Sequence, residues 1–179
     1  MNKRWEILPI DEKKQILLEK NLHISSSLAE ILTRKNLDEN SAKLFLNPTK
    51  IPYHDPFLLK DMEKACQRLL LALKNKEKIC IYGDYDVDGV SSTALLMTVF
   101  TKLGFNIDYY LPDRHSEGYG LHIESLQKLI PKYDLLITVD CGITALDEVD
   151  YAKDKIDMII TDHHLPREIL PDAFAIINP

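Results

Sequence analysis

Ile79-Cys80-Ile81-Tyr82-Gly83-Asp84-Tyr85-Asp86-Val87-Asp88-Gly89, followed by an apolar run from Val90 to Leu103, is the stretch from which the rest of the chain is read. A short apolar run ends in three alternate acids and a glycine. It then passes into a segment that is apolar on nearly every side, a pattern that reads as strand, acidic turn and buried helix. At an effective dielectric of ~20 and a separation of ~5 Å, each like-charged pair costs on the order of 3 kcal/mol. Asp84, Asp86 and Asp88 crowded into one turn therefore call for a proton, a cation or a metal.

Beyond this stretch the chain alternates strand and helix. Strands are expected at Ile79 to Tyr82, Ile107 to Leu111, Leu135 to Val139, Met158 to Thr161 and Ala175 to Ile177. Helices are expected at Ser91 to Leu103, Ile123 to Leu129 and Ala145 to Lys153. This order gives an α/β fold, a mostly parallel sheet with helices on both faces. Before it, residues 1–50 read as a small all-α extension, helical in pattern from Trp5 to Leu46. Asp11 opens its first piece, Ser27-Leu28-Ala29-Glu30 has capping-box spacing for a second, and Asp38 caps a third. Three prolines between Asn47 and Pro56 read as an extended linker, and the main domain is taken as residues 51–179. Asp61 is expected to cap a helix with Met62, Cys66, Leu69 and Leu73 on one face and Lys64, Arg68 and Lys74 elsewhere.

A formal charge of −6 argues against a simple basic nucleic-acid-binding module, whose affinity comes from lysines and arginines on phosphates. It does not exclude a nuclease, because acids that hold metals present a positive site once loaded. No segment approaches the ~18 uncharged apolar residues of a membrane span, and Met1-Asn2-Lys3-Arg4-Trp5-Glu6 leads into no signal-peptide core, so a cytoplasmic protein without a membrane partner is expected. Cys66, Cys80 and Cys141 are odd in number and widely spaced, without the CxxC pairing that a cysteine zinc site or a redox motif would show. Cys66 and Cys80 fall in apolar patterns, whereas Cys141 follows an acid and leaves a reactive thiol open.

In a parallel sheet, ligands gather at the carboxyl ends of the strands. The expected strands end at Asp84, Asp86 and Asp88, at Asp113 and Arg114, at Asp140, and at Asp162, His163 and His164. One acid after a strand is usually a cap or a turn former, and one histidine usually a surface residue. Four segments delivering acids and imidazoles to one edge suit manganese, magnesium, iron or zinc. Calcium fits poorly, since Asp84, Asp86, Asp88 and Gly89 match an EF-hand opening but Leu95 stands where a bidentate Glu is required. An aspartyl-phosphate mechanism with Asp84 and Asp86 as nucleophile and acid leaves His163 and His164 unexplained. Metal-assisted phosphoester hydrolysis accounts for all four segments, with two cations roughly 3.5–4 Å apart sharing a carboxylate.

These residues resemble the DHH phosphoesterases, and within them the RecJ-like single-strand exonucleases. The resemblance lies in Gly83 to Gly89, in Val139-Asp140-Cys141-Gly142 and in Thr161-Asp162-His163-His164. It extends to Asp113-Arg114, Gly118-Tyr119-Gly120, Asn47-Pro48 and Asp55-Pro56-Phe57-Leu58-Leu59. It implies a DHH-type domain in which Asp84, Asp86, Asp88, Asp140 and His163 ligate metal, Asp140 as the bridge. His164 would face the scissile phosphate, Asp162 would orient the motif, and Arg114, Gly118 and Gly120 would hold substrate phosphate. The catalytic set is then Asp86, Asp88, Asp140, His163 and His164, and the anion-binding end of the helix near Gly89 would assist.

The resemblance further implies two divalent metal ions, Mn2+ ahead of Mg2+, and 5′-to-3′ hydrolysis of single-stranded DNA in recombination and repair. A helicase or a single-strand-binding protein is the partner expected beside the DNA. Relatives carry a fourth motif and a substrate-gripping domain downstream of the paired histidines. The chain ends at Pro179 before either, so an incomplete and, in isolation, inactive domain is expected. Two other readings stand beside this one. Phosphoesterases for short oligonucleotides or small phosphate compounds usually begin the first motif with a His and a Pro-Asp pair, where this chain has Tyr82, Gly83 and Tyr85. A catalytically silent replication scaffold would have eroded ligands, yet usable donors fill all three motifs.

Overall fold

The computed structural model describes residues 6, 9–51 and 53–179. Trp5, at the start of the expected helical extension, and Pro52, in the expected linker, lie outside the described residues. The chain forms two compact units that divide between His54 and Asp55.

Among the described residues the first unit holds three α-helices, α1 (Glu12–Leu22), α2 (Ser26–Arg34) and α3 (Glu39–Leu46). Asp11 and Asp38 cap α1 and α3, accepting from the backbone N–H of Lys14 and Ser41. The cap of α2 is Ser25, whose hydroxyl accepts from Leu28 N, and not Ser27. Ser27 lies inside the helix, so its spacing to Glu30 is not a capping box. Leu18, Ala29, Leu32 and Ala42 form the unit's small core. The segment expected as an extended linker contains 3₁₀ turns at Pro48–Lys50 and Pro56–Leu58, each opened by a proline whose missing N–H costs nothing at that position.

The second unit is a five-stranded, all-parallel sheet. Its strands are β1 (Lys78–Tyr82), β2 (Asn106–Tyr110), β3 (Leu135–Val139), β4 (Asp157–Thr161) and β5 (Ala175–Ile177), in the order β2-β1-β3-β4-β5. Alternate residues supply the two faces. Ile79, Leu135, Ile137, Ile159 and Ala175 pack under α4 (Met62–Asn75) and α5 (Val87–Lys102). Cys80, Tyr82, Leu136, Met158, Ile160 and Ile176 pack under α6 (Ile123–Leu129) and α7 (Leu146–Ala152). Because β1 is followed on one side by β2 and on the other by β3, the chain reverses direction between β1 and β3. In open α/β sheets the ligand crevice forms at such a point.

Two expectations about the elements are corrected here. Helix α5 begins at Val87, four residues before Ser91, because the Asp86 carboxylate caps it by accepting from Asp88 N at 2.9 Å and Gly89 N at 3.1 Å. The acidic stretch is therefore half turn and half helix. Asp61 makes no side-chain cap bond to α4; its Oδ2 accepts from Ile176 N at 3.1 Å and pins β5 instead. Arg68 of α4, expected away from the apolar face of the helix, is buried. It donates to Asp157 at 2.6 Å and pairs with Glu77 at 2.7 Å, tying the helix to the amino ends of the strands.

Candidate metal centre

Two glycines explain the shape of the first motif. A Cβ on Gly89 would lie inside contact distance of the Asp84 backbone, so only glycine lets the first turn of α5 close onto the end of β1. A Cβ on Gly83 would meet the Thr93 hydroxyl and the Leu111 side chain. The backbone compressed between them turns Asp84 inward, where it is 1% exposed and neither carboxylate oxygen has a hydrogen-bond partner. Buried polar atoms of native proteins nearly always find a partner, and an unpaired buried carboxylate is among the most costly exceptions.

The neighbouring strand delivers Asp140. It follows β3 with φ 62°, in the left-handed region, and its N–H donates to Thr161 O at 3.0 Å. For a residue other than glycine that conformation costs roughly 1–2 kcal/mol, and it aims the side chain across to the first motif. One carboxylate oxygen each of Asp84, Asp86 and Asp140 lie within 4.8 Å of one another. Past β4, the Asp162 carboxylate acts as the hub of its loop. It accepts from Ile143 N at 3.0 Å, His163 N at 2.7 Å, His164 N at 3.2 Å and His164 Nδ1 at 2.7 Å. His163 Nε2 lies 3.0 Å from Asp140 Oδ1. Asp140, His163 and His164 form a second group of donors within the same 4.8 Å.

The electrostatics follow from this crowding. Burial and the facing Asp86 carboxylate raise the Asp140 carboxyl above its ordinary range. Asp86 is held below its own range by the Gly89 and Asp88 N–H groups that it caps. Burial pushes Asp162 up, but its four donors outweigh that and hold it ionised. The Asp162 bond in turn raises His164, whose Nδ1 carries the shared proton and whose Nε2 is left for another partner. A carboxylate with two unpaired oxygens beside two more carboxylates and two imidazoles is a donor set that fits divalent cations, with oxygen ligands predominating.

The expected residues do not all converge. Asp88 stands outside both donor groups, on the first turn of α5, where it lines an open cleft of about 480 Å³ with Asp140, Asp162 and His163. Asp113 is a turn former, its Oδ1 accepting from His115 N, Ser116 N and Ser116 Oγ at 2.9–3.0 Å. Arg114 extends over the Tyr85 ring, 5.1 Å from its centroid, beside the first motif. The Gly118 N–H donates to Asp113 O at 3.2 Å, so it is not free for a phosphate, whereas among the described residues no such bond engages the Gly120 N–H. The amino end of α5 offers no open anion site either, since Asp86 takes its Asp88 and Gly89 donors. Cys141 is buried, and burial pushes its thiol well above the usual range, which closes the reactive reading.

Two contributors escaped the sequence. Tyr119 places its hydroxyl 3.2 Å from Asp140 O and 3.3 Å from His164 Nδ1; the glycines on either side of it drew attention while the tyrosine did not. Asn178 donates from Nδ2 to His164 O at 3.0 Å, holding the histidine backbone from the end of β5. A polar residue directly after the last strand was the available signal for it.

The N-terminal domain of the DHH family matches residues 78–179. The chain is 42% identical over 179 residues to the single-stranded-DNA-specific exonuclease RecJ of Bacillus subtilis, a match spanning 98% of this chain and 23% of that protein. It is 42% identical over 152 residues to the RecJ of Haemophilus influenzae, spanning 83% and 25%. Among solved structures, a manganese-bound exonuclease RecJ superposes with a TM-score of 0.66 at 34% identity, over 71% of this chain and 33% of that one. The Mn2+ complex of RecJ from Thermus thermophilus gives a TM-score of 0.69 at 26% identity, over 98% and 25%. The chain thus spans about a quarter of the length of the curated relatives it matches.

Proposed function

The chain belongs to the DHH family, and on that premise we propose that it carries out metal-dependent hydrolysis of phosphodiesters, acting 5′-to-3′ on single-stranded DNA in recombination and repair. The observation that carries this reading is the buried Asp84 carboxylate, both oxygens unpaired, within 4.8 Å of Asp86 and Asp140. The substrate and its polarity rest on the likeness to RecJ. Residues 51–179 are the catalytic domain in this proposal, and residues 1–50 a helical extension.

Asp84, Asp86, Asp140 and His163 would hold divalent metal ions, Asp140 belonging to both groups of donors, and Asp88 would add a carboxylate from the lining of the adjoining cleft. When bound, the metals supply Lewis acidity at the scissile phosphate and a nucleophile at neutral pH. The rest falls to the chain. Asp162 fixes the His164 ring through Nδ1 and, by raising its affinity for a second proton, favours the imidazolium, whose Nε2–H can donate to a phosphate oxygen. Arg114, braced on Tyr85, offers a planar fork of donors to a neighbouring phosphate, and the Gly120 N–H offers one more. Solved relatives hold Mn2+ or Mg2+; manganese is the preferred ion in this proposal. A cytoplasmic enzyme of this kind meets its substrate where a helicase or single-strand-binding protein exposes it.

The test uses 5′-labelled single- and double-stranded DNA with manganese, with magnesium and with chelator. It is run on this chain and on a form extended to the length of its relatives. Mononucleotides released from the 5′ ends of single strands in the presence of metal are the expected outcome, with Asp140→Ala abolishing release in a protein that still unfolds cooperatively. Unchanged hydrolysis by Asp140→Ala would overturn the assignment of the centre.

A further inference from the structure

The loop between β2 and α6 is braced at every step. The Asp113 carboxylate gathers His115 N, Ser116 N and Ser116 Oγ, closing its first turn. Glu117 accepts from Tyr110 OH and Ser125 Oγ, both at 2.6 Å, and so fastens the middle of the loop to β2 and α6. Gly120 O accepts from the buried Tyr82 OH at 3.0 Å, fastening its end to β1. Gly118 and Gly120 have φ of 85° and 89° with open space where a Cβ would stand. Glycine is thus required there for backbone conformation and not for room. Between the two sits Tyr119, the residue that the bracing delivers.

The Tyr119 hydroxyl donates to Asp140 O at 3.2 Å. It also lies 3.3 Å and 3.4 Å from the two ring nitrogens of His164, with the rings edge to face at 75°. Near-equal distances to both nitrogens put the oxygen over the imidazole face, since in the ring plane it would collide with Cε1. The hydroxyl therefore does not compete with Asp162 for Nδ1 and leaves Nε2 open. It touches the backbone of the strained Asp140, which belongs to both donor groups, and the face of His164, which belongs to one of them.

We propose that Tyr119 is a positioning residue for phosphodiester hydrolysis, its hydroxyl holding Asp140 in its left-handed conformation and closing the face of the His164 ring. This inference rests on the reading of the centre given above. Tyr119→Phe keeps the ring and the fold and removes only the oxygen. Loss of one such hydrogen bond corresponds to a roughly five- to tenfold fall in kcat, with KM for single-stranded DNA unchanged.

The test has two arms. In the full chain without metal, the imidazole 15N–1H resonances of His164 are compared between wild type and Tyr119→Phe; a shift or broadening is expected. In the form active on 5′-labelled single strands, kcat and KM are measured for both proteins with Mn2+. Unaltered His164 resonances together with unaltered kcat would overturn the proposal. A raised KM at constant kcat would overturn it too, marking Tyr119 as a surface on which a base stacks. If Asp140→Ala retains hydrolysis, the reading of the centre fails, and the spectroscopic arm still decides whether Tyr119 orders His164.

Discussion

At the amino end of the sheet Glu77 and Asp157 close around Arg68, which also donates to Asp134 O at 3.4 Å, while the Asp134 carboxylate accepts from Lys78 N at 2.7 Å. At the carboxyl end Asp84, Asp86 and Asp140 face one another, and among the described residues no lysine or arginine pairs with them. Both ends place carboxylates beside the same strands. At one end the chain brings its own buried arginine; at the other only the imidazoles of His163 and His164 stand beside the acids, and the chain accepts an unpaired buried carboxylate and a left-handed aspartate. A carboxylate cluster that a fold could neutralise, and does neutralise one sheet-length away, is the physical signature of a site built for a cation from solution.

The sharpest way to break this comparison is to remove the cation that the chain supplies. Arg68→Ala leaves Glu77 and Asp157 without their partner and the Asp134 carbonyl without a donor. Breaking a buried pair costs 3–5 kcal/mol, but Asp157 is 42% exposed and water can screen it, so a loss of about 3 kcal/mol is expected. Urea unfolding reads the loss as a lower midpoint at constant slope. Manganese affinity of the folded fraction should not move, because the clamp lies at the opposite end of the strands. Coupled loss of affinity would show that the two ends are not independent.

The converse change has the opposite sign. Asp84→Asn deletes an uncompensated buried charge, and the new amide can donate to the neighbouring Asp86 or Asp140. The metal-free protein should gain on the order of 1 kcal/mol, read as a higher melting temperature. Manganese should lose most of its stabilising effect on the variant, where the wild type at a hundredfold excess over Kd gains about 2.7 kcal/mol. A metal-free variant less stable than wild type would mean that Asp84 is held by the fold for its own sake.

The sheet and its order of elements were legible because every strand is a short apolar run closed by a polar residue, and periodicity reports that directly. The strands and helices α6 and α7 lie within a residue of expectation. Misplaced details share one cause: side chains whose partners come from elsewhere in the chain. Asp61 looks like a helix cap until β5 offers it the Ile176 N–H, and Arg68 reads only as a residue off the apolar face until Glu77 and Asp157 enclose it. In the site the same holds. That Asp84 is enclosed while Asp88 stands apart depends on how far Gly89 lets α5 approach, which no spacing rule records. Tyr119 reaches Asp140 and His164 across 21 and 45 residues, and only the fold brings them within hydrogen-bond distance.

Glu117 sharpens the comparison on a finer scale, since it is a carboxylate near the carboxyl end that the chain does satisfy. Ser125 Oγ first, then Tyr110 OH, hold it below its ordinary value of 4.5 against a small opposing effect of burial. A depressed acid contributes stability that is present above its unfolded value and lost as pH falls through the folded one. Asp140, raised by burial and by Asp86, contributes the other way: without metal its share is present below 3.8 and lost as pH rises through its folded value. Glu117→Gln should therefore cost about 1 kcal/mol or less at pH 7 and flatten the fall in urea midpoint between pH 5 and pH 3. Asp140→Asn, by contrast, should steepen that fall. An identical acid limb in Glu117→Gln and wild type would mean that the loop carrying Tyr119 is held by its turns alone and not by the Glu117 carboxylate.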